Sequence, residues 1–322
     1  MLQTKTAWVL LAGDFAYKIK KPVRFTFVDS STRAKRYRLC RDEVRLNRRL
    51  APELYDPVAG ISEREATYEL VPTAALRDTG VIDFAVVMRR LPRDLMLDQM
   101  LAARTAETAH LRAVAEKIAR FHARASSAKA PLWGSALAVS RLVTSNLDET
   151  EERTADSISR EQLAVVRDYS RRYIAANRDL LDRRVRDGRV REGHGDLRCD
   201  SICFAPEGLV IFDCVEYSQQ LRYADAASEI ATLATDLDLC GRPDLSAQLV
   251  EDYIAASNDK ELPLLLPLYQ CYRATLRGKL ETLASFQPDL PIEQRVIARG
   301  TAGRCIRLAA TYATGASKAR LS

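Results

Sequence analysis

Residues His194-Gly195-Asp196-Leu197-Arg198-Cys199-Asp200-Ser201-Ile202 pack polar groups into a turn. Leu209-Val210-Ile211-Phe212-Asp213 follows as a short apolar strand ending in an acid. Asp196 and Ser201 are five residues apart, and Asp213 closes the strand beyond them. This order of groups suits phosphoryl transfer. Asp196 would orient a hydroxyl nucleophile and accept its proton; Ser201 and Asp213 would hold Mg²⁺. Asp200 and Glu216 are further carboxylates nearby, and Glu216 either supports the metal position or is simply solvated.

Such a site needs a cation for the phosphates and a frame to carry it. Residues 6–12 and 14–20 are two β-rich runs around Gly13-Asp14 and read as a hairpin. On the second run Phe15, Tyr17 and Ile19 share one face, and Ala16, Lys18 and Lys20 the other. The two lysines either meet phosphates or lie on a solvated edge face. Residues 32–50 have a helical pattern, with Leu39, Leu46 and Leu50 on one face and Glu43 among them. A carboxylate facing a core is costly unless a cation pairs with it, and Lys18 is the natural partner. The arginines and Lys35 elsewhere on this helix read as a solvated face.

Residues 57–71 and 81–91 supply more strands, and Met88-Arg89-Arg90-Leu91-Pro92 breaks the last of them. The pattern then turns helical, at about 104–125, 160–187, 223–239, 245–257, 264–284 and 291–314, with a loop at 131–134. The expected division is 1–91, strands plus one helix, and 92–322, mostly helices. His110 and His122 lie on the first of these helices and read as packing or surface residues rather than ligands. Arg273, Arg277 and Lys279 either line an anionic or hydroxylated substrate or lie on a surface helix.

The net charge of +6 is mild for 322 residues, so nucleic acid is not an expected partner. Seven cysteines, an odd and irregular set, suggest no disulfide framework. Cys199, Cys203 and Cys214 cluster in sequence, but without a CxxC or paired histidines they read as free thiols rather than zinc ligands. No signal peptide or membrane span is expected, which points to the cytoplasm.

Strand lysine, helix glutamate, strand-to-helix boundary, acidic turn and second acid follow one another in the order of the protein-kinase-like fold. His194-Gly195-Asp196-Leu197 resembles the catalytic signature of the aminoglycoside phosphotransferase superfamily of small-molecule kinases. Trp8 to Val23, Glu43 to Pro52 and Phe212 to Tyr217 resemble one bacterial branch of it, often fused to a C-terminal P-loop kinase domain. The resemblance implies an α+β, two-lobed protein-kinase-like fold with a small β-rich N-lobe and a larger, mostly helical C-lobe. It implies that Lys18, fixed by Glu43, contacts the α/β-phosphates of ATP or GTP, and that backbone groups at Met88 and Arg89 meet adenine. Asp196 is then the catalytic base, and Asp213 and Ser201 hold Mg²⁺ or Mn²⁺. Lys20 is the alternative to Lys18, and Asp225 matches an acid that braces the catalytic turn.

Three departures stand out. Ser201 occupies the position where these kinases carry Asn, which makes a nucleotide-binding pseudokinase the alternative to an active kinase. Only Met1 to Ala7 precede Trp8, where the first strand and the nucleotide-covering loop are expected. No G-x-x-x-x-G-K-[ST] occurs, so a P-loop kinase domain is expected only as a separately encoded partner.

Overall fold

The structure, a computed structural model, describes residues 2–25, 28–65, 67–72, 80–152, 158–288 and 290–318. It divides into two compact units, Met1–Ala106 with Cys199–Arg222, and Glu107–Arg198 with Tyr223–Ser322. The expected boundary at residue 91 lies within the first unit, which also takes in the segment carrying Ser201 and Asp213.

The first unit is built on an antiparallel sheet of β1 (Leu2–Gln3), β2 (Ala7–Ala12), β3 (Phe15–Lys20), β4 (Ala59–Arg64), β5 (Thr67–Val71) and β6 (Val81–Arg89). Their spatial order is β1-β2-β3-β6-β4-β5. Gly13, at φ +55, makes the reversal between β2 and β3, where Ala12 pairs with Phe15. Lys18 on β3 pairs with Val9 of β2 on one side and Val86 of β6 on the other. The strand is therefore interior, and the Ala16, Lys18 and Lys20 face is not a solvated edge: Ala16 and Lys20 are buried.

Helix α1 (Arg33–Asn47) starts at Thr32, whose side chain accepts the Lys35 amide. Its Cys40 and Val44 pack with Phe84 and Val86 of β6 and with Leu54, Tyr55 and Val58. That packing sends Leu39, Glu43 and Leu46 inward. The basic residues are not all on a solvated face. Arg36 is buried against Asp83, and Arg48 donates to the Tyr55 carbonyl. Helix α2 (Leu97–Ala102) follows. The unit is completed by the hairpin of β8 (Ile202–Ala205) and β9 (Gly208–Ile211) and by a short helix, α8 (Gln219–Arg222). Val210 and Phe212 pack against the same core.

The second unit contains α3 (Thr108–Arg124), α4 (Ala130–Gly134), α5 (Ala136–Glu152), α6 (Arg160–Ala176) and α7 (Arg178–Arg186). Strands β7 (Val190–Glu192) and β10 (Tyr223–Asp225) pair, and α9 (Ala226–Leu239), α10 (Pro243–Ser257), α11 (Leu262–Ser285) and α12 (Ile292–Lys318) follow. Helix α9 is buried on nearly every side, as its run of small and apolar residues permits. Three local expectations change. Residues 131–134 are helical, with Pro131 in the first turn where its missing N–H costs nothing. The expected helix 160–187 breaks at Asn177, and 223–225 is a strand before α9 begins. His110 closes a capping box at the start of α3, and His122 is buried with Nδ1 2.8 Å from the Tyr253 hydroxyl. No described helix is long and apolar enough to cross a membrane.

Candidate functional site

In the first unit, Lys18 and Lys20 of β3 and Glu43 of α1 meet Asp213 and Glu216, which follow β9. Lys18 Nζ lies 2.8 Å from Glu43 Oε1 and 2.8 Å from Asp213 Oδ1. Lys20 Nζ binds the other Glu43 oxygen and Glu216. Glu43 is thus held by both lysines, and two cations face three carboxylates. The Lys18 side chain is 15% exposed and that of Lys20 only 3%, so of the two Lys18 is the one open to a ligand.

Burial alone would lower the Lys18 pKa, but Asp213, Glu43 and Glu216 more than offset it and raise it well above the usual lysine value. Burial would raise Glu43, yet the charges of Lys18 and then Lys20 hold it below the ordinary carboxylate range. Lys20 is likewise raised, because Glu216 and Glu43 outweigh its burial. Lys18, Lys20 and Glu43 are therefore charged at neutral pH.

Ser201 and Asp213 sit at the open end of the β8–β9 hairpin. Ile202 pairs with Ile211, and one step outward the Phe212 amide donates to the Ser201 carbonyl at 3.0 Å. This hairpin is the reason for their separation in sequence. Asp213 has φ +65, a left-handed conformation that aspartate tolerates better than most residues, and its carboxylate is 59% exposed. Ser201 is buried. The cysteines of this segment, Cys199, Cys203 and Cys214, are buried free thiols, and among the described residues no cluster of His, Cys, Asp and Glu forms a metal site.

Met88 and Arg89 end β6. Met88 is partly buried against the core, opposite Ala16 and bridged to Tyr55. The Arg89 amide donates to the Leu54 carbonyl at 3.0 Å and the Arg90 amide to Asp14 at 2.7 Å. Both donors at this strand end are already engaged.

In the second unit the turn His194 to Leu197 follows β7. The His194 amide donates to both Glu229 oxygens, at 2.8 and 2.9 Å. Gly195 adopts φ +92, and its carbonyl accepts from Arg273 Nη1 at 3.2 Å. Asp196 is exposed while His194 and Leu197 are fully buried, so the turn presents the aspartate from a rigid base. Burial would raise the Glu229 carboxyl, but His122, His194 and the hydrogen bonds hold it at about 2. Asp225 acts one step behind. It accepts two bonds from Arg184, at 2.7 Å each, and caps α9 through the Ala227 amide. Arg273 does not lie on a surface: it is buried, between Gly195 and Ser228. Lys279 pairs with Glu149 at 3.1 Å and Arg277 with Glu281 at 2.8 Å.

No protein-family model matches the chain. It is 33% identical over 280 residues to uncharacterised proteins of Mycobacterium tuberculosis and Mycobacterium bovis, a match that covers 87% of this chain and 54% of theirs. The chain thus spans about half the length of the curated relatives it matches. Among solved structures it resembles a choline kinase from Cryptosporidium parvum, at 10% identity and TM-score 0.57, over 100% of this chain and 88% of that one. It also resembles a choline/ethanolamine kinase family protein from Mesorhizobium loti, at 13% identity and TM-score 0.50, over 97% of this chain and 90% of that one. The chain has the protein-kinase-like fold of the small-molecule kinases.

As expected of that fold, the N-terminal region is a β-sheet and the C-terminal part helical. Sequence reasoning about the kinase-like fold missed four residues that shape its polar groups. Lys20 appeared only as a substitute for Lys18, whereas the two share Glu43. Asn47 follows Glu43 by one helical turn, a spacing visible in sequence, but its bond to the Cys214 amide at 2.8 Å is not. Asp225 was the acid expected to brace the turn, whereas Glu229 holds the His194 amide. Arg273 gave only the signal of a basic helix.

Proposed function

We propose that the chain is a small-molecule kinase that transfers the γ-phosphoryl of ATP or GTP to a hydroxyl of a metabolite or sugar-like acceptor. The observation that carries this reading is the chain of contacts Glu43–Lys18–Asp213, each 2.8 Å, within a protein-kinase-like fold. A lysine held between a buried glutamate and an exposed aspartate suits phosphate oxygens on one side of a metal ion.

In this reading residues 1–91 carry the nucleotide groups and 92–322 the catalytic turn and metal ligands. Lys18 contacts the α/β-phosphates. Adenine meets the end of β6 at Met88 and Arg89 through carbonyl oxygens, because the Arg89 and Arg90 amides are engaged. Asp196 orients the acceptor hydroxyl and takes its proton. The donors at the metal position, the Asp213 carboxylate and the Ser201 hydroxyl, are all oxygen, and Mg²⁺ or Mn²⁺ takes such ligands together with nucleotide phosphates. When bound, the ion would neutralise charge on the transferring group. The protein would act in the cytoplasm, where these nucleotides are supplied.

The test is nucleotide binding in the presence of Mg²⁺ or Mn²⁺, followed by a panel of hydroxylated acceptors. The reading expects metal-dependent binding and slow nucleotide hydrolysis that Asp196→Ala abolishes while binding survives. No thermal shift with any nucleotide and metal would overturn it. One observation favours a second reading, a nucleotide-binding pseudokinase: Ser201, at the position of the metal-binding Asn, is buried and reaches less far than an amide. Nucleotide binding without transfer to any acceptor, and turnover gained in Ser201→Asn, would decide for it.

A further inference from the structure

Two contacts around Glu43 have no part in the chemistry just described: Lys20 with Glu216, and Asn47 with Cys214. Both reach the turn that begins at Asp213. The Lys20 side chain is 3% exposed and that of Glu216 10%, so this ion pair is shut away from solvent. Asn47, fully buried, donates Nδ2 to the Glu43 carbonyl at 2.9 Å and accepts the Cys214 amide on Oδ1 at 2.8 Å. Arg222 Nη1 closes the far end, donating to the Val215 carbonyl at 2.8 Å and the Glu216 carbonyl at 3.1 Å. Between these holds Asp213 keeps φ +65, a conformation that persists in a residue other than glycine where its surroundings over-determine it.

We infer that Lys20, Glu216 and Asn47 are positioning residues that set the Asp213 turn for metal binding, while Lys18 alone meets the nucleotide. The inference rests on the kinase reading. Its logic is a division of labour between two lysines on one strand face. When Lys18 turns toward phosphate it loosens its grip on Glu43, and a buried carboxylate without a cation is costly. Lys20 keeps Glu43 paired throughout, so α1 does not shift. Through Glu216 the same lysine ties the metal-binding turn to that helix. Asn47 makes a second tie one helical turn away, directly to the amide that follows Asp213.

Mn²⁺ uptake, followed by electron paramagnetic resonance with ADP as the nucleotide, separates these roles. ADP affinity is measured in parallel with EDTA present. Glu216→Gln and Asn47→Leu are expected to weaken Mn²⁺ binding by about tenfold or more, the range for groups that orient a metal ligand, and to leave ADP affinity in EDTA unchanged. Lys18→Met is expected to weaken ADP affinity in EDTA. Circular dichroism and unfolding midpoints establish that each variant is folded; should Asn47→Leu fail to fold, Glu216→Gln decides alone. Variants that lose only thermal stability, with Mn²⁺ affinity intact, would overturn the inference and leave the kinase reading standing. Wild-type protein that takes up neither Mn²⁺ nor ADP would overturn both.

Discussion

At Gly193 the backbone passes so close to α9 that an added Cβ would lie 1.8 Å from Glu229 Oε2. Glu229 cannot yield, because both of its oxygens hold the His194 amide. Gly193→Ala is therefore expected to destabilise the protein by about 2–3 kcal/mol, the cost of overpacking. It should also lower turnover more than nucleotide affinity, checked by denaturant unfolding and by binding. The same scale governs Glu43. Its carboxylate is shared by two lysines, so Glu43→Gln removes the buried anion that holds Lys18 and Lys20 together and leaves Lys18 paired only with the exposed Asp213. Nucleotide affinity should fall by at least about tenfold, as for loss of a charge-assisted contact, measured by titration calorimetry.

At the scale of elements, the turn carrying Asp196 is fixed by α9 and α11, which lie far from it in sequence, and α9 is held in turn by α7. Glu229 of α9 holds the His194 amide, Arg273 of α11 holds the Gly195 carbonyl, and Arg184 of α7 holds Asp225 at the start of α9. Glu229 makes this arrangement sensitive to acid. Burial tends to raise its carboxyl, but its partners hold it at about 2, against an ordinary 4.5. A depressed carboxylate contributes stability that is complete above about pH 4.5 and is lost as pH falls toward about 2. The loss amounts to about 3 kcal/mol over that window. Glu229→Gln should lack this component, so its unfolding free energy changes less across the same pH range. Arg184 is fully buried and bonds both Asp225 and Asp259. Arg184→Met leaves two buried carboxylates without a cation and should cost about 3–5 kcal/mol, read from chemical denaturation.

At the scale of the whole molecule, the first unit draws on two separate stretches of chain, Met1–Ala106 and Cys199–Arg222. A nucleotide and metal bound by Lys18 and Asp213 would therefore join residues from both stretches. If only the folded state binds, MgADP at a hundred times its dissociation constant should stabilise the protein by about 2.7 kcal/mol and raise its melting temperature by several degrees. Lys18→Met and Asp213→Asn should each abolish that rise. Calorimetric scans with and without MgADP check it.

Much of the frame was legible in sequence because it follows from local rules. Period-two alternation marked β3, helical spacing put Glu43 on the core face, and a carboxylate there demanded a nearby cation. The order of lysine, glutamate and the two acidic segments carried the fold class. Tertiary structure decided what depends on contacts between distant stretches. Residue types could not tell that β3 lies between β2 and β6, which makes a face that reads equally as a solvated edge into a buried one holding two lysines. Nor could spacing show that Asn47 would meet the Cys214 amide, or that Glu229 rather than Asp225 would hold His194. At the opening stretch, sequence by itself determined the acids Asp196 and Asp213 and the serine between them. Only the fold determined their settings: an exposed aspartate on a buried turn, and a second one in a left-handed conformation at the open end of a hairpin. A side chain's chemistry is local, whereas its burial, partners and backbone strain belong to the packed chain.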